Sequence, residues 1–172
     1  MEHSSSPPNP EFDTDPFALT RYSEYIPHAC AMLEQCGRNV NIFTQNFDPT
    51  ILDNEKFSDA LRAFVVGHSR IAQVRILVQR PETAILQGHR LVELARKLTS
   101  MIEIRRPASQ HAAIADAFLT FDNRAYLHRE LGDRPEGKGC HDDSLRTLEL
   151  IRRFDEIWSM SEPEAEFRRL GL

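Results

Sequence analysis

Several features that assign a chain to a specialised class are absent from this sequence of 172 residues. It has no run of about 18 apolar residues, so no transmembrane helix is predicted. The start, MEHSSSPPNP, has neither a basic segment nor an apolar one and is not typical of a signal peptide. These absences predict a soluble protein, and we expect a cytoplasmic location.

Cysteine is also scarce. Cys30, Cys36 and Cys140 are an odd number without a CxxC pair, which argues against a disulfide framework and a structural zinc site. Residues 140–143 (CHDD) are consecutive, and neighbours in sequence rarely converge on one ion, so no metal site is predicted. The sequence contains no GxxxxGK[ST], GxGxxG, GxSxG or HExxH, and we expect no cofactor.

Charge is unevenly distributed around a formal net charge of −5. Residues 1–16 carry four acids and no base, and we interpret them as a disordered acidic Ser/Pro-rich tail. The single domain is predicted over 17–160, with a C-terminal tail over 161–172. Within the domain, residues 62–106 hold nine Lys or Arg against three acids, whereas 139–160 are mainly acidic. Such polarity favours self-association over broad nucleic-acid affinity.

Apolar spacing predicts four helices and five strands. The helices are expected over 17–36, 54–67, 81–98 and 143–162. The strands are expected over 39–45, 74–79, 101–106, 117–122 and 124–129, the last two as a hairpin. Residues 132–139 are expected to form a loop, and a short edge strand near Cys140 stays open as an alternative. Strands that alternate with helices indicate an α/β fold. We therefore expect a mixed, largely parallel sheet with helices on both faces, preceded by an N-terminal helix.

The succession of NVNIFTQNFDP, FSDALRAFV, QVRILVQ, HRLVELARKL, MIEIRR and AFLTFDNRAYLHR resembles one repeat, a half-unit, of the phospholipase D superfamily. The resemblance covers residues 38–160 and rests on the strand pattern. It is closest to the divergent phospholipase D-like domains of uncharacterised proteobacterial proteins. It implies a phospholipase D-like α/β fold.

The resemblance also implies where catalytic residues would lie. Active members carry His-x-Lys-x4-Asp; the histidine attacks phosphorus, and the lysine neutralises the phosphate oxygens. Asp122 matches the aspartate, which places the histidine position at Ala115 and the lysine position at Ala117. A methyl group can do neither task, and no other histidine in the chain has lysine two residues later. We therefore predict no catalytic residues and keep Asp122 as a remnant of the motif.

The predicted function is a non-catalytic phospholipase D-like binding or interaction module. Its expected partners are a second copy of the chain, a phosphate-containing ligand or another protein, and nucleic acid is not expected. Arg105, Arg106 and His111 are candidate anion-binding residues, because they precede the segment where an active relative would hold phosphate. Two alternatives stay open: a divergent phosphodiesterase with relocated catalytic residues, and a peripheral module that binds anionic lipid or phosphoinositide through 62–106.

Overall fold

The computed structural model describes residues 13–164, so most of the predicted N-terminal tail and residues 165–172 lie outside it. The described residues form eight strands and six α-helices. The strands are β1 (Phe17–Leu19), β2 (Asn39–Thr44), β3 (Gln73–Val78), β4 (Ile102–Arg106), β5 (Ala117–Phe121), β6 (Ala125–Arg129), β7 (Gly137–Cys140) and β8 (Glu162–Pro163). The helices are α1 (Tyr22–Gln35), α2 (Pro49–Leu52), α3 (Glu55–Gly67), α4 (Glu82–Gln87), α5 (Arg90–Lys97) and α6 (Ser144–Ser159).

All eight strands form one sheet in the order β1-β7-β6-β5-β2-β3-β4-β8. The sheet is mixed, as predicted, but it is not largely parallel. Only β2 with β3 and β3 with β4 pair in parallel; the other neighbours pair antiparallel. The reason is the hairpin connectivity of β5, β6 and β7, which reverses the chain at each step, while helical crossovers join only β2, β3 and β4.

Helices cover both faces of the sheet, as expected. The helices α1 to α5 pack on one face over the larger core cluster, which includes Val40, Ile42, Val74 and Ile76. On the other face α6 covers a smaller cluster built on Phe43, Leu77, Phe118 and Phe154. Successive side chains of a strand point to opposite faces, so each strand contributes to both clusters. The face that α1 to α5 cover is called the α1 face, and the face that α6 covers is called the α6 face.

Two predicted helices differ from the structure. The N-terminal helix is present, but Phe17–Leu19 is a strand paired with β7, and Pro27 lies inside α1 without ending it. The predicted helix over 81–98 is two short helices separated at Gly88, whose φ is +81°. Glycine adopts this backbone conformation readily, and it ends α4. His89 then caps α5 by accepting a hydrogen bond from the Leu91 amide.

The sheet also contains strands that the sequence analysis placed in loops or tails. The loop expected over 132–139 does contain a strand near Cys140, β7, but this strand lies inside the sheet and not at its edge, because β1 pairs with it. Glu162 and Pro163, assigned to the C-terminal tail, pair with the end of β4. No helix within residues 13–164 is long and apolar enough to cross a membrane.

Candidate functional site

The carboxyl ends of the three parallel strands meet the start of β5 at one edge of the sheet. Pairing of Phe43 with Phe118 shows that β5 runs against β2 and begins where β2 ends. Ligands of α/β proteins commonly bind beyond the carboxyl ends of the strands. The residues before β5 include Ala115, and β5 begins with Ala117, so both motif positions named above lie at this edge.

The two alanines have different surroundings. Ala115 is exposed, and its carbonyl oxygen accepts a hydrogen bond of 2.7 Å from the Gly132 amide. Ala117 is only 1% exposed and pairs across the strands with Arg129 of β6. The Ala117 methyl therefore faces a closed interior on the α1 face and not a pocket.

Arg129 fills the space beside Ala117. Arg129 is 2% exposed, and its Nη2 lies 2.5 Å from Oδ1 of Asp48, which is also buried. Its Nη1 donates hydrogen bonds to the carbonyl oxygens of Gly132 and Arg134. The guanidinium carbon lies 5.6 Å from the ring centre of Tyr25. A buried charge needs an opposite charge and further hydrogen bonds, and Arg129 has both.

Asp48 is held in place by the loop after β2. Its φ is +37°, in the left-handed region, and the preceding Phe47 also has a positive φ of 68°. Two consecutive residues of this kind are unfavourable and persist only where surrounding contacts fix them. Here the second carboxylate oxygen, Oδ2, accepts a hydrogen bond of 2.8 Å from the Thr44 hydroxyl. The loop thus aims the Asp48 carboxylate at Arg129.

Gln45 closes the same interior from the end of β2. Its Nε2 donates to the carbonyl oxygens of Ile114 and Asp116, which ties β2 to the segment before β5. Gly132 packs directly on this arrangement: a Cβ there would lie 2.7 Å from Cγ of Gln45 and 3.4 Å from Cβ of Ala117. The absence of a side chain at 132 lets the loop after β6 approach β5 closely.

A second charged group lies on the α6 face of the same strands. Asp116, 7% exposed, accepts a hydrogen bond at Oδ2 from Nε2 of His128 at 2.9 Å. Both terminal nitrogens of Arg153 in α6 also donate to its carboxylate, at 2.5 and 2.9 Å. Burial alone would raise the pKa of Asp116, but these hydrogen bonds outweigh it and lower the pKa to about 2. Asp116 is therefore ionised at neutral pH.

His128 connects this group to an open groove. Its Nδ1 lies 3.3 Å from Nη2 of Arg146, so Nδ1 is the acceptor and Nε2 carries the proton in this arrangement. The groove has a volume of about 460 Å³. His128 lines this groove together with charges of both signs, from Glu130, Arg134, Glu136 and Lys138. An imidazole oriented by a carboxylate at a groove is an arrangement that can transfer protons.

Asp122 lies at the opposite end of β5 and has a structural role. Its carboxylate accepts hydrogen bonds of 2.9 Å from the amides of Gly37, Arg38 and Asn39, and one from the Cys36 thiol. Burial, followed by the Asp122 charge, raises the pKa of Cys36 to about 12, so the thiol is not a nucleophile. Asp122 thus joins the end of α1 and the start of β2 to the hairpin turn.

The three candidate anion-binding residues do not form one cluster. Arg105 faces α6, where its guanidinium carbon lies 4.3 Å from the ring centre of Trp158 and its Nε donates to Glu103. Arg106, the next residue of the strand, points to the other face and forms an ion pair with Glu82. His111 lies in a 3₁₀ turn at Ser109–His111, and its carbonyl oxygen accepts a hydrogen bond from Gln79.

The four residues that the structure brings together, Asp48, Asp116, His128 and Arg129, were not among the candidates predicted from the sequence. One signal was present in the sequence. In a hairpin that turns at Asp122, alternation places Asp116 and His128 on one face and Ala117 and Arg129 on the other. The contact between Arg129 and Asp48 had no such signal, because it depends on the conformation of the loop after β2.

Comparisons with known proteins agree with this architecture. Residues 21–170 match the family described as Domain of unknown function (DUF7931). No curated protein matches the sequence. Among solved structures, Nuc of Salmonella typhimurium, a phospholipase D family member, is similar with a TM-score of 0.58 and 12% identity; the match covers 87% of this chain and 99% of Nuc.

Two larger proteins contain a similar unit. The phosphatidylserine synthase of Haemophilus influenzae matches with a TM-score of 0.61 and 13% identity over 92% of this chain and 41% of its own. TrmBL2, an archaeal chromatin protein whose structure shows a novel mode of DNA binding, matches with a TM-score of 0.64 and 14% identity over 94% of this chain. This chain spans 56% of TrmBL2. The fold is therefore phospholipase D-like, as the resemblance implied, and the chain belongs to the family of domains of unknown function DUF7931.

Proposed function

We propose that this domain is a phospholipase D-like interaction module without phosphodiesterase activity. The observation that carries the proposal is the buried Arg129–Asp48 ion pair beside Ala117. At the positions that the motif assigns to the nucleophile and the phosphate-binding lysine, the chain has two methyl groups. The cation that pairs across the strands with Ala117 is Arg129, and its charge is already neutralised by Asp48.

Arg129 does not replace the missing lysine. A lysine in this role must present its charge to a phosphate that enters from solvent. The Arg129 guanidinium is enclosed by Asp48, two carbonyl oxygens and two tyrosine rings. Moving it towards a ligand would leave the Asp48 carboxylate buried without its cation, which costs several kcal/mol, about 3–5 kcal/mol in comparable cases.

Hydrolysis of bis(p-nitrophenyl) phosphate by the purified full chain tests the proposal. We expect release of p-nitrophenol no faster than in buffer, while a phospholipase D-family nuclease assayed in parallel gives a clear signal. The variants Asp122→Ala and His111→Ala, at positions considered from the sequence, should behave as the wild-type chain does. Hydrolysis that co-purifies with the folded chain would contradict the proposal.

A divergent phosphodiesterase is the second candidate, and the Asp116–His128 pair is the observation that favours it. In such a reaction Nδ1 of His128 would accept a proton from the attacking water. The oxygen of that water would bond to phosphorus, the bond to the leaving alkoxide would break, and the alkoxide would take the proton. The interaction of Nδ1 with Arg146 opposes this role, because Arg146 must first move away.

The two candidates are separated by one pair of variants. If hydrolysis is detected, His128→Gln should abolish it, because glutamine cannot accept and return a proton. His68→Gln is the matched control, since His68 bonds to the Phe64 carbonyl oxygen of its own helix and lies at the other end of the sheet. Hydrolysis that both variants retain would exclude His128 as the relocated catalytic residue.

For the partner of the module we propose a second copy of the chain. The segment before β5 exposes Ala112, Ala113 and Ala115, and Leu131 is exposed in the loop that packs against it. Charges of both signs surround these residues, including Glu130 and Arg134, and such a surface can pair with itself about a two-fold axis.

Light scattering after size exclusion should give a dimer that Leu131→Glu weakens. Leu86→Glu, at an exposed position outside this segment, is the control, and a wild-type monomer at all concentrations would contradict the proposal.

A phosphate-containing or anionic-lipid ligand at Arg105, Arg106 and His111 has less support. Arg105 and Arg106 lie on opposite faces of β4, and each has a carboxylate partner. A single phosphate group cannot contact both guanidinium groups from one side of the strand.

A further inference from the structure

Two histidines that are 113 residues apart in the sequence face each other at the edge of the domain formed by α1 and β7. Nδ1 of His28, on α1, lies 3.0 Å from Nε2 of His141, the residue after β7. The ring of Phe17, in β1, stacks on His28 with a centroid distance of 3.9 Å and an angle of 15°. The His28 ring therefore has a fixed orientation, with one nitrogen aimed at its partner.

The two facing nitrogens can both bind one proton or one metal ion that lies between them. With both imidazoles neutral, one facing nitrogen donates its proton and the other accepts it. Burial and the neighbouring His141 lower the pKa of His28. Burial also lowers the pKa of His141. Both shifts favour neutral imidazole, the form that binds metal ions.

We propose that His28 and His141 form a binding site for a borderline divalent transition-metal ion such as Zn²⁺, Co²⁺ or Ni²⁺. Tetrahedral zinc has Zn–N distances of about 2.0–2.1 Å, which places two ligand nitrogens about 3.4 Å apart. The observed separation of 3.0 Å is a few tenths of an ångström shorter. Admitting the ion therefore requires the two nitrogens to move apart by that amount.

Binding requires no net release of a proton from the pair. The imidazole that donates the shared proton changes tautomer: that nitrogen becomes a ligand, and the proton moves through solvent to the outer ring nitrogen. The other imidazole already presents a lone pair. The ion thus replaces an N–H···N hydrogen bond by two N–metal bonds between α1 and the end of β7.

The surrounding charges favour a cation in part. Glu24 is the acidic group whose charge acts on His28, and Asp13 has the same effect on His141; Arg124 opposes it. No group of three or more His, Cys, Asp or Glu within residues 13–164 is arranged to hold a metal ion. The remaining coordination positions would therefore be filled by water, and we expect binding that is reversible and removed by a chelator.

The site differs from the one considered from the sequence. Cys140, Asp142 and Asp143 were considered together with His141 because they are consecutive, and that grouping still has no geometric support. Asp143 caps α6 by accepting a hydrogen bond from the Arg146 amide, and the Cys140 thiol is buried. Within residues 140–143, only His141 lies next to a possible metal-ligating side chain from another part of the chain, that of His28.

Metal-dependent thermal stability of the full chain, first stripped with a chelator, tests the proposal. Ligands that bind the folded state raise the melting temperature. We expect a rise with Zn²⁺ or Ni²⁺ that EDTA reverses, and a visible absorption band of protein-bound Co²⁺. Both signals should be lost in His28→Gln and in His141→Gln and retained in His68→Gln.

Two further measurements keep the outcome clear. Far-UV circular dichroism must show that the glutamine variants are folded, and the metal effect in the wild-type chain should weaken as pH falls from 7 to 5, because protons compete for imidazole. A wild-type chain without any metal effect would mean that the pair is only a hydrogen bond. A metal effect that persists in both variants would place the ion at another site. Either result overturns the proposal.

Discussion

At the start of β5, the charged groups on the two faces of the sheet differ in their access to solvent. On the α1 face, Arg129 and Asp48 are sealed beside Ala117, and they are only 2% and 7% exposed. On the α6 face, Asp116 is buried, but its partners Arg153 and His128 extend to the surface and to a groove. Buried pairs maintain structure, and only groups that reach solvent can meet a ligand. At the start of β5, therefore, only the α6 face presents groups that a ligand could reach.

The largest expected effect comes from removing the sealed cation. Arg129→Met leaves the Asp48 carboxylate buried without its partner, and we expect a loss of about 3–5 kcal/mol in the free energy of unfolding, measured with urea. Arg129→Met combined with Asp48→Asn should recover part of that loss, because asparagine carries no charge. Arg134→Met, at an exposed side chain of the same loop, is the control and should stay within about 0.5 kcal/mol of the wild-type value. If Arg129→Met destabilises the chain no more than the Arg134→Met control does, the Arg129–Asp48 pair is not sealed from solvent.

The second effect tests how tightly the α1 face is packed. Gly132→Ala places a Cβ 2.7 Å from Cγ of Gln45 and 3.1 Å from the Ala115 carbonyl oxygen. Gln45 cannot move away freely, since its amide holds two carbonyl oxygens. We expect a loss of about 1–3 kcal/mol by denaturant unfolding. Gly67→Ala, where nothing lies within 4 Å, is the matched control and should be neutral or stabilising. Equal behaviour of the two variants would contradict the packing argument.

The third effect concerns the α6 face and depends on pH. The pKa of Asp116 falls from 3.8 to about 2 on folding. Since one pKa unit corresponds to about 1.4 kcal/mol, the ionised carboxylate contributes about 2 kcal/mol. A depressed pKa stabilises the fold above the unfolded value, and the contribution is lost as pH falls from about 4 to 2.

Asp116→Asn should therefore be less stable than the wild-type chain at pH 7 by about 2 kcal/mol and approach it near pH 2, as followed by urea unfolding across pH. Asp155→Asn is the control. Asp155 pairs with Arg75 at a half-exposed position, and its replacement should cost less than about 1 kcal/mol. A difference between wild type and Asp116→Asn that does not change with pH would show that the charge of Asp116 is not responsible.

The smallest effect is expected at the residues first considered for anion binding. The ion pairs of Arg105 and Arg106 are partly exposed, so Arg105→Ala and Arg106→Ala should each cost at most about 1 kcal/mol. We also expect no salt-sensitive binding of the wild-type chain to anionic liposomes in a sedimentation assay. Binding that is salt-sensitive and is lost in the double variant would instead support the peripheral membrane alternative.

The local pattern of the sequence was sufficient for most elements. The starts of α3 and α6 follow from local sequence: Asn54 and Asp143 cap them, and a capping side chain acts only on amides two or three residues away. The apolar strands were also found, because burial on both faces leaves a continuous apolar run. The predicted helix over 81–98 was wrong at Gly88, where the apolar stripe continues although the backbone leaves the helix.

The candidate site was less predictable. Ala115 and Ala117 could be named from a motif spacing, but what occupies the space beside them could not. That depended on the left-handed conformation of Asp48 and on the approach of Gly132, and both arise from the loop packing at the edge of the sheet. Likewise, nothing near His28 in the sequence indicates that His141 is its partner.

The sequence by itself determined that the chain has the phospholipase D-like succession of strands and helices and that alanine stands at residues 115 and 117. These properties are local or depend on spacing along one chain segment. Only the tertiary structure decided that Arg129 and Asp48 close one face of β5, that Asp116 and His128 meet on the other, and that His28 faces His141. Each of these contacts joins residues from different elements, and their distances follow from sheet register and loop conformation, which local sequence preferences do not specify.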